Sequence, residues 1–178
     1  MRGLLSAKLA VSFLFLGLAI AASTGRADAQ PIRFTVPLDS CLAVPGTLMP
    51  GKLEVFSLTC ERVDGGNGLL AFGQQNLFVA GVGPGTYHIR VKIANWLTVW
   101  MRNVTMGWGG VTLTFPSAVN GDTNGNDVVE IADITLVLVN FGSLGAPGIA
   151  GDLDWDGGVT LSDVTITLLN FGKVGQGC

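Results

Sequence analysis

Between residues 31 and 119, short apolar runs alternate with segments rich in glycine and proline. The separating segments VPG, MPG, DGGNG, GVGPG and GWGG are typical of turns. This spacing predicts six to eight strands in an all-β antiparallel sandwich over residues 30–119. The apolar runs are IRFTV, KLEVFSLTC, LLAF, NLFVAGV, TYHIRVKIA, WLTVWMRNVTM and VTLTF.

The pattern changes at Gly121, where polar residues gather into a loop followed by an apolar run. GDTNGNDVVEIADITLVLVNFG begins there, and GDLDWDGGVTLSDVTITLLNFG repeats it from Gly151, thirty positions later. Apolar residues in both runs recur at helical spacing, and Gly142 and Gly172 are typical helix stops. The runs also contain β-branched residues that fit a strand. A pair of hairpin turns that bind nothing is therefore the alternative.

The polar residues of each loop have the ligand spacing of an EF-hand. Oxygen-bearing side chains occupy positions 1, 3, 5, 9 and 12, and a backbone carbonyl falls at position 7. A hard cation takes six to eight such oxygens, and carboxylates with neutral oxygens favour calcium over zinc or copper. The spacing therefore predicts two Ca²⁺ ions. The predicted ligands are Asp122, Asn124, Asn126, Val128, Glu130 and Asp133 in the first loop and Asp152, Asp154, Asp156, Gly158, Thr160 and Asp163 in the second.

Two positions depart from the usual EF-hand loop. Position 12 is Asp rather than Glu in both loops, so the loop or the following helix must come closer to the ion. Position 6 needs a left-handed backbone, which Gly157 adopts freely in the second loop. The first loop has Asp127 there, one of the few other residue types that tolerates this backbone. We therefore expect the first site to bind calcium more weakly.

The paired segments GDxNGxxxVxxxDxTxxLxNFG and GDxDxDGxVxxxDxTxxLxNFG resemble a type I dockerin. The resemblance covers residues 120–175 and implies a small all-α module over residues 120–178. Each repeat would be an F-hand, a calcium loop plus one helix, and the two would pack with near two-fold symmetry. The family docks onto cohesin domains in cellulosome-like and related extracellular assemblies, which implies a cohesin-like partner and a link to polysaccharide degradation.

In dockerins, loop positions 10 and 11 carry partner-selecting residues. They correspond here to Ile131 and Ala132 in the first loop and to Leu161 and Ser162 in the second. The pair is polar in well-studied cellulosomal members, so this chain points to an unfamiliar partner. Core packing is the alternative role of Ile131 and Leu161.

The segment VGPGTYHIRVKIANWL resembles the closing hairpin of prealbumin-like or carboxypeptidase-regulatory-like β-sandwich domains. The resemblance implies that Pro84 and Gly85 turn the chain and that Tyr87 packs inward.

Residues 1–29 have the pattern of a secretory signal peptide, with Arg2 and Lys8 ahead of an uncharged apolar run and small residues at 27–29. The run is shorter than the roughly 20 residues that span a bilayer, and no later segment does better. We expect cleavage after Ala29, no membrane span afterwards, and a secreted protein that is free or held at a cell surface through a partner.

The acidic residues are concentrated at one end of the chain. Eight of the 13 Asp and Glu residues follow Gly121, where Lys173 is the only base. Such a field repels nucleic acid and anionic lipid, and it also repels itself. The composition therefore excludes a nucleic-acid partner and calls for a cation.

Three cysteines remain after the predicted cleavage. In an oxidising compartment we expect Cys41 and Cys60 to pair, because both lie in the predicted sandwich, and Cys178 to stay free.

The sequence offers little for catalysis. His88 is the only histidine, and no GxSxG elbow or Cys/His pair accompanies it. Glu54 and Glu61 are a conceivable glycosidase pair, but carboxylates in a small strand-rich domain are usually solvated. We predict no catalytic residues and no enzyme activity.

Two functional classes follow from these patterns. The first is a secreted non-catalytic calcium-binding protein whose dockerin docks the sandwich onto a cohesin-like partner. The second is a small carbohydrate-active protein, binding or hydrolysing glycan, that its dockerin only carries. For that class Trp96, Trp100 and Trp108 would form a sugar-stacking face, although core packing is the expected role of large aromatics in a small β domain.

Overall fold

The structure is a computed structural model that describes residues 29–178. The predicted signal peptide, residues 1–29, lies outside the described residues except for its last residue. The described chain is mostly β, with seven strands followed by two short helices. In chain order they are β1 (Gln30–Thr35), β2 (Leu48–Phe56), β3 (Arg62–Ala71), β4 (Asn76–Ala80), β5 (Gly85–Ile93), β6 (Val99–Met106), β7 (Val111–Thr114), α1 (Ile131–Val139) and α2 (Leu161–Leu169).

The strands form two sheets of the predicted sandwich, with orders β4-β1-β7 and β3-β2-β5-β6. Every pair in the four-stranded sheet is antiparallel, as is β1 with β4. The prediction of a wholly antiparallel sandwich is wrong for one pair, because β1 runs parallel to β7. These two strands are far apart in the chain, so no hairpin constrains their relative direction.

The two sheets share one hydrophobic core. Alternate residues of each strand point inward, so Ile32 and Phe34 from β1 meet residues such as Leu53 and Val91 from the other sheet. Tyr87 packs against this core, as expected, and its hydroxyl donates a hydrogen bond of 3.0 Å to the carbonyl of Gly83. Strands β5 and β6 form one edge of the four-stranded sheet.

The segments MPG and DGGNG form parts of strands β2 and β3, although their composition predicts turns. The turn between β2 and β3 lies earlier, where Ser57 accepts backbone hydrogen bonds from Thr59 and Glu61. In β3, Gly65 explains the glycine-rich composition, because a Cβ atom there would lie 2.8 Å from the Cα of Glu54 on the neighbouring strand. A larger residue could not approach β2 so closely.

The two apolar runs after residue 130 are helices, so the hairpin alternative is wrong. Each begins with a capping box, in which the residue before the helix and the aspartate three positions later satisfy each other's backbone N–H groups. A second, small core lies beneath them, with Val137 from α1, Ile166 from α2 and Val159 from the second loop. No helix among the described residues is long and apolar enough to cross a membrane.

The helical part is joined tightly to the sandwich. Trp155, in the second loop, belongs to the sandwich core, and its ring centroid lies 6.5 Å from that of Trp96. The segment after α2, residues 173–178, lies against the edge strand β6. The backbone N–H of Gln176 donates to the Thr98 carbonyl, and the Trp100 indole N–H donates to the Gln176 carbonyl. We call residues 173–178 the C-terminal strap.

The disulfide joins Cys60 to Cys178, with Cα atoms 6.0 Å apart, so the predicted pairing of Cys41 with Cys60 is wrong. Cys60 lies in the turn after β2, and the strap brings Cys178 to it. Cys41, in the connection from β1 to β2, is half-buried and free. Burial, with a smaller contribution from Asp154 and Asp152, raises the pKa of its thiol.

Candidate functional site

The aspartate at position 12 organises each loop and the start of its helix. In the first loop, Asp133 accepts hydrogen bonds from the backbone N–H groups of Asn124 at 3.0 Å and Glu130 at 2.8 Å. In the second, Asp163 accepts from the N–H groups of Leu153 at 2.6 Å and Thr160 at 2.7 Å. Both carboxylates are fully buried. The shorter side chain at position 12 therefore closes the loop onto the helix in both copies.

Positions 3 and 5 repeat the same turn chemistry. The side chain at position 3 accepts the N–H of position 5, and that at position 5 accepts the N–H of position 7. These are Asx turns, which wrap the backbone round a single point. In the second loop, carboxylate oxygens of Asp152, Asp154 and Asp156 lie within 4.8 Å of one another. Burial raises the pKa of Asp154, and the nearby charges of Asp163 and Asp156 raise it further. The hydrogen bond from Ser162 lowers this pKa, but the net shift is upward.

Position 1 differs between the loops. Asp122 has partners on both oxygens, since Oδ1 accepts the N–H of Asn126 and Oδ2 accepts from the N–H of Asp127 and from Lys92. Asp152 uses Oδ2 for the N–H groups of Gly148 and Gly157. Its Oδ1 is buried and has no hydrogen-bond partner among the described residues.

The loops share a left-handed backbone at positions 4 and 6. Position 4 is Gly125 with φ 77° or Trp155 with φ 62°, and position 6 is Asp127 with φ 67° or Gly157 with φ 95°. Asp127 therefore adopts the conformation that the loop spacing requires of it. Trp155 also adopts it, which turns its indole out of the loop and into the sandwich core.

Asp127 is an anchor to the sandwich as well as a turn residue. Its Oδ1 accepts the backbone N–H of Thr98 at 2.9 Å and the ammonium of Lys92 at 3.1 Å, and its Oδ2 accepts the Thr98 hydroxyl at 2.5 Å. Burial acts to raise the pKa of Asp127, but the hydrogen bonds from Thr98 and the charge of Lys92 outweigh it and lower the pKa below its ordinary value.

Each loop pairs with the chain that follows the other repeat's helix. Val129 donates to Lys173 at 2.9 Å and accepts from Gly172 at 2.8 Å, while Val159 donates to Ser143 at 2.9 Å and accepts from Gly142 at 2.8 Å. The matched distances show that the repeats exchange equivalent contacts. The two repeats are therefore related by reciprocal pairing, in which each loop bonds to the chain at the end of the other repeat's helix.

The helices carry an exposed apolar face with matched positions. Ile131 is 67% exposed and Leu161 is 71% exposed, so the core-packing alternative is wrong for both. Ala132 is half-buried, and the exposed Ser162 donates its hydroxyl to Asp154 at 2.7 Å. The face continues one or two turns further along each helix. The other exposed apolar residues of the helices are Leu136, Leu138 and Val139 in α1 and Leu168 and Leu169 in α2.

A groove of about 340 Å³ adjoins only part of this face. It lies between Ser40 and Leu42, in the connection from β1 to β2, and the first half of α2, including Leu161 and Thr165. The sandwich therefore contributes an exposed apolar side chain, Leu42, beside one of the two helices.

The three tryptophans considered for sugar stacking do not form an exposed platform. Trp96 is fully buried and Trp100 is 5% exposed, whereas Trp108 is 71% exposed. The core-packing interpretation is thus confirmed for Trp96. Trp100 is buried outside the core, with its ring centroid 5.0 Å from that of Phe56 and its indole bonded to the C-terminal strap. His88 is buried, and its Nδ1 accepts the backbone N–H of Asn103.

Glu54, half of the conceivable glycosidase pair, is buried beneath three cations. It forms ion pairs with Lys52 at 2.7 Å, Arg62 at 3.0 Å and Arg90 at 2.5 Å. The expectation that it is solvated is therefore wrong. Burial alone would raise the pKa of Glu54, but the hydrogen bonds and charges of Lys52 and Arg90 lower it overall.

Sequence reasoning missed the contribution of the sandwich to the first loop. Lys92 and Thr98 both bind its acids, yet both lie in segments that appear purely structural. The sequence signal that could have found this contribution is the distribution of charge between the two parts of the chain. Residues 30–119 contain six Lys and Arg against four Asp and Glu, whereas the later residues contain one against eight.

No protein-family model and no curated protein matches the chain. Two solved structures of a type II Cohesin-X-Dockerin complex from Acetivibrio cellulolyticus are similar in fold. An N-terminal interface mutant of that complex matches with a TM-score of 0.60 and 20% identity, over 82% of this chain and 97% of the other. A C-terminal interface mutant matches over the same shares, with a TM-score of 0.59 and 20% identity.

The extent of this match includes both parts of the molecule. A share of 82% of 178 residues is about 146 residues, whereas residues 30–119 number only 90. The likeness is one of fold, and it extends beyond the sandwich into the helical part.

Proposed function

We propose that this chain is a secreted, non-catalytic docking protein. Its C-terminal part, residues 120–178, acts as a dockerin-like module that attaches the sandwich to a cohesin-like domain of another protein, outside the cell or at its surface. The observation that carries the proposal is the matched exposure of Ile131 and Leu161 on two reciprocally paired loop–helix repeats.

The exposed face has the character of a protein-binding surface. Ile131 and Leu161 occupy the same loop position in their repeats, and each is followed by further exposed apolar residues on its helix. Exposed apolar residues that are clustered in this way are typical of interaction sites. Because Ala132 is half-buried and Ser162 is bonded to Asp154, the two large residues carry more of this surface than their neighbours do.

The dockerin assignment is supported by the repeats themselves. The two loops share hydrogen bonds at positions 3, 5 and 12, and the copies exchange matched backbone contacts. The similar structures are of a Cohesin-X-Dockerin complex, which makes a cohesin-like domain the first partner to test. The link to polysaccharide degradation rests on the sequence resemblance alone.

Calcium is part of the proposal, and the donor set fits it. The twelve residues that supply oxygens at positions 1, 3, 5, 7, 9 and 12 are those named from the sequence, and none of the donors is a soft sulfur or imidazole. The buried Oδ1 of Asp152, which has no partner in the described chain, is the kind of group that a cation would satisfy. When bound, calcium would neutralise the clustered carboxylates and hold each loop against its helix.

The carbohydrate-active alternative gains no support from the described residues. Trp96 and Trp100 are committed to packing, and Glu54 is committed to ion pairs. Trp108 alone is exposed, and a single ring is a weak basis for glycan binding. We therefore propose no second function.

Surface plasmon resonance with the whole mature chain tests the proposal. Purified type I and type II cohesin domains, including the cohesin of the Acetivibrio cellulolyticus complex, would be passed over it in calcium and again in EGTA. We expect at least one domain to bind in calcium and to dissociate in EGTA. Binding by none of them, or binding that ignores EGTA, would overturn the proposed docking role.

A further inference from the structure

We propose that the Lys92 ammonium neutralises acids of the first loop in place of a calcium ion. The second loop would then bind calcium tightly and the first loop weakly. This inference rests on the proposed function for the choice of calcium. It assigns a role to a sandwich residue that lies thirty positions before the loop it serves.

Lys92 reaches the first loop from the outer face of β5. Its ammonium is bonded to Asp122 Oδ2 and lies 3.1 Å from Asp127 Oδ1. Asp122 is fully buried, and the Lys92 side chain is 21% exposed. One ammonium group therefore faces the carboxylates of both position 1 and position 6.

Thr98 completes the arrangement around Asp127. Its backbone N–H and hydroxyl donate to the two carboxylate oxygens. With Lys92, this gives the first loop a full set of partners on both acids. A carboxylate that is paired and hydrogen-bonded needs no metal ion to offset its burial.

The acids of the second loop have no ion-pair partner in residues 29–178. Gly157 stands where Asp127 stands in the first loop, and none of the ion pairs in residues 29–178 involves an acid of the second loop. Asp152 is fully buried with Oδ1 unpartnered, beside the oxygens of Asp154 and Asp156. Three carboxylates so close together repel one another unless a cation lies between them.

The two cations compete for the first loop. A calcium ion there would need the Asp122 carboxylate, and it would lie within a few ångströms of the Lys92 ammonium. Like charges at such a distance repel, and displacing Lys92 would also remove the ion-pair partner of Asp127. Both effects lower calcium affinity at the first loop and leave the second loop untouched.

Calorimetric titration of the whole mature chain with calcium chloride is the experiment. We expect one tight site in the wild type, loss of that site in Asp152→Asn, and a gain of at least tenfold in the weaker affinity in Lys92→Met. Lys52→Met is the matched control. Lys52 is the cross-strand partner of Lys92 on the neighbouring strand β2, but it forms its ion pair with Glu54. This substitution should leave both calcium affinities unchanged.

A second measurement needs no substitution. In an NMR titration of the wild type, the amide of Gly157 should shift up to one equivalent of calcium, and the amide of Gly125 only in excess. Two equal sites that Lys92→Met does not alter would overturn the role of Lys92 and leave the docking proposal intact. No calcium binding at all would overturn both.

Discussion

Cys178 is bonded to Cys60, 118 positions earlier in the chain, and the bond fastens the C-terminal strap across β6. The strap also receives hydrogen bonds from the Trp100 indole and from Arg102. The disulfide therefore encloses most of the sandwich and both helices in one covalent ring. Bonds that close long loops restrict the unfolded chain most.

Removing this bond should destabilise the whole protein. For Cys178→Ser we expect a loss of about 4 to 5 kcal/mol in the free energy of unfolding, from the length of the closed loop. Urea unfolding of the oxidised chain measures it. Cys41→Ser, which removes the free thiol, is the matched control and should change stability far less. Equal effects of the two substitutions would contradict the assigned pairing.

A second prediction concerns Trp155, which links the second loop to the sandwich core. Trp155→Ala should cost about 3–5 kcal/mol, because it opens a cavity against Trp96. Trp155→Phe should cost less than about 1.5 kcal/mol, since it keeps a ring and removes an indole N–H that lacks a partner in the described chain.

Thermal unfolding followed by both near- and far-ultraviolet circular dichroism checks this prediction. The wild type should unfold in one step, with sheets and helices lost together. Trp108→Ala serves as the control, because that side chain is exposed. Two separate transitions in the wild type would show that Trp155 does not couple the two parts.

The sequence predicted the local elements well because local chemistry determines them. Alternating apolar runs and turn residues indicated the strands, and the spacing of acids between Asp122 and Asp163 indicated the loop–helix repeats. It failed where contacts join distant residues. The strand pairing of β1 with β7, the Cys60–Cys178 bond and the Lys92–Asp122 pair all depend on how the two parts pack together.

Asp127 is a loop residue whose role depends on contacts with distant parts of the chain. From the sequence it is a poorer substitute for glycine, so a glycine in its place would seem harmless or helpful. In the structure its carboxylate is bound by Thr98 and Lys92. Asp127→Gly removes that attachment, which no pattern within the repeat itself could indicate.

Stability in acid should depend on Glu54. Its pKa in the folded chain lies below its usual 4.5, so it contributes stability above that pH, and the contribution is lost as the pH falls through the folded value. Glu54→Gln should cost about 1–3 kcal/mol at pH 7, because Lys52, Arg62 and Arg90 lose a charged acceptor.

Urea unfolding between pH 7 and pH 3 measures this effect. The wild type should lose stability more steeply below pH 4.5 than Glu54→Gln does. Glu61→Gln is the control for removing one acid from the same region. If wild type and Glu54→Gln lose stability in parallel as the pH falls, the ion-pair cluster does not contribute.

The last prediction concerns the exposed helix faces. Ile131→Asp and Leu161→Asp should each weaken partner binding modestly, by up to about tenfold, because the reciprocal repeats offer the same apolar centre twice. The double substitution should abolish binding, since a charge at both centres leaves neither helix able to bury its face. Val63→Asp, on the exposed side of β3, controls for an added surface charge and should bind normally.

Binding is measured with the whole chain in calcium, because Trp155 and the strap attach the helices to the sandwich. Full binding by the double variant would exclude the helix faces, whereas complete loss in Leu161→Asp alone would show that only α2, beside Leu42 and its groove, contacts the partner.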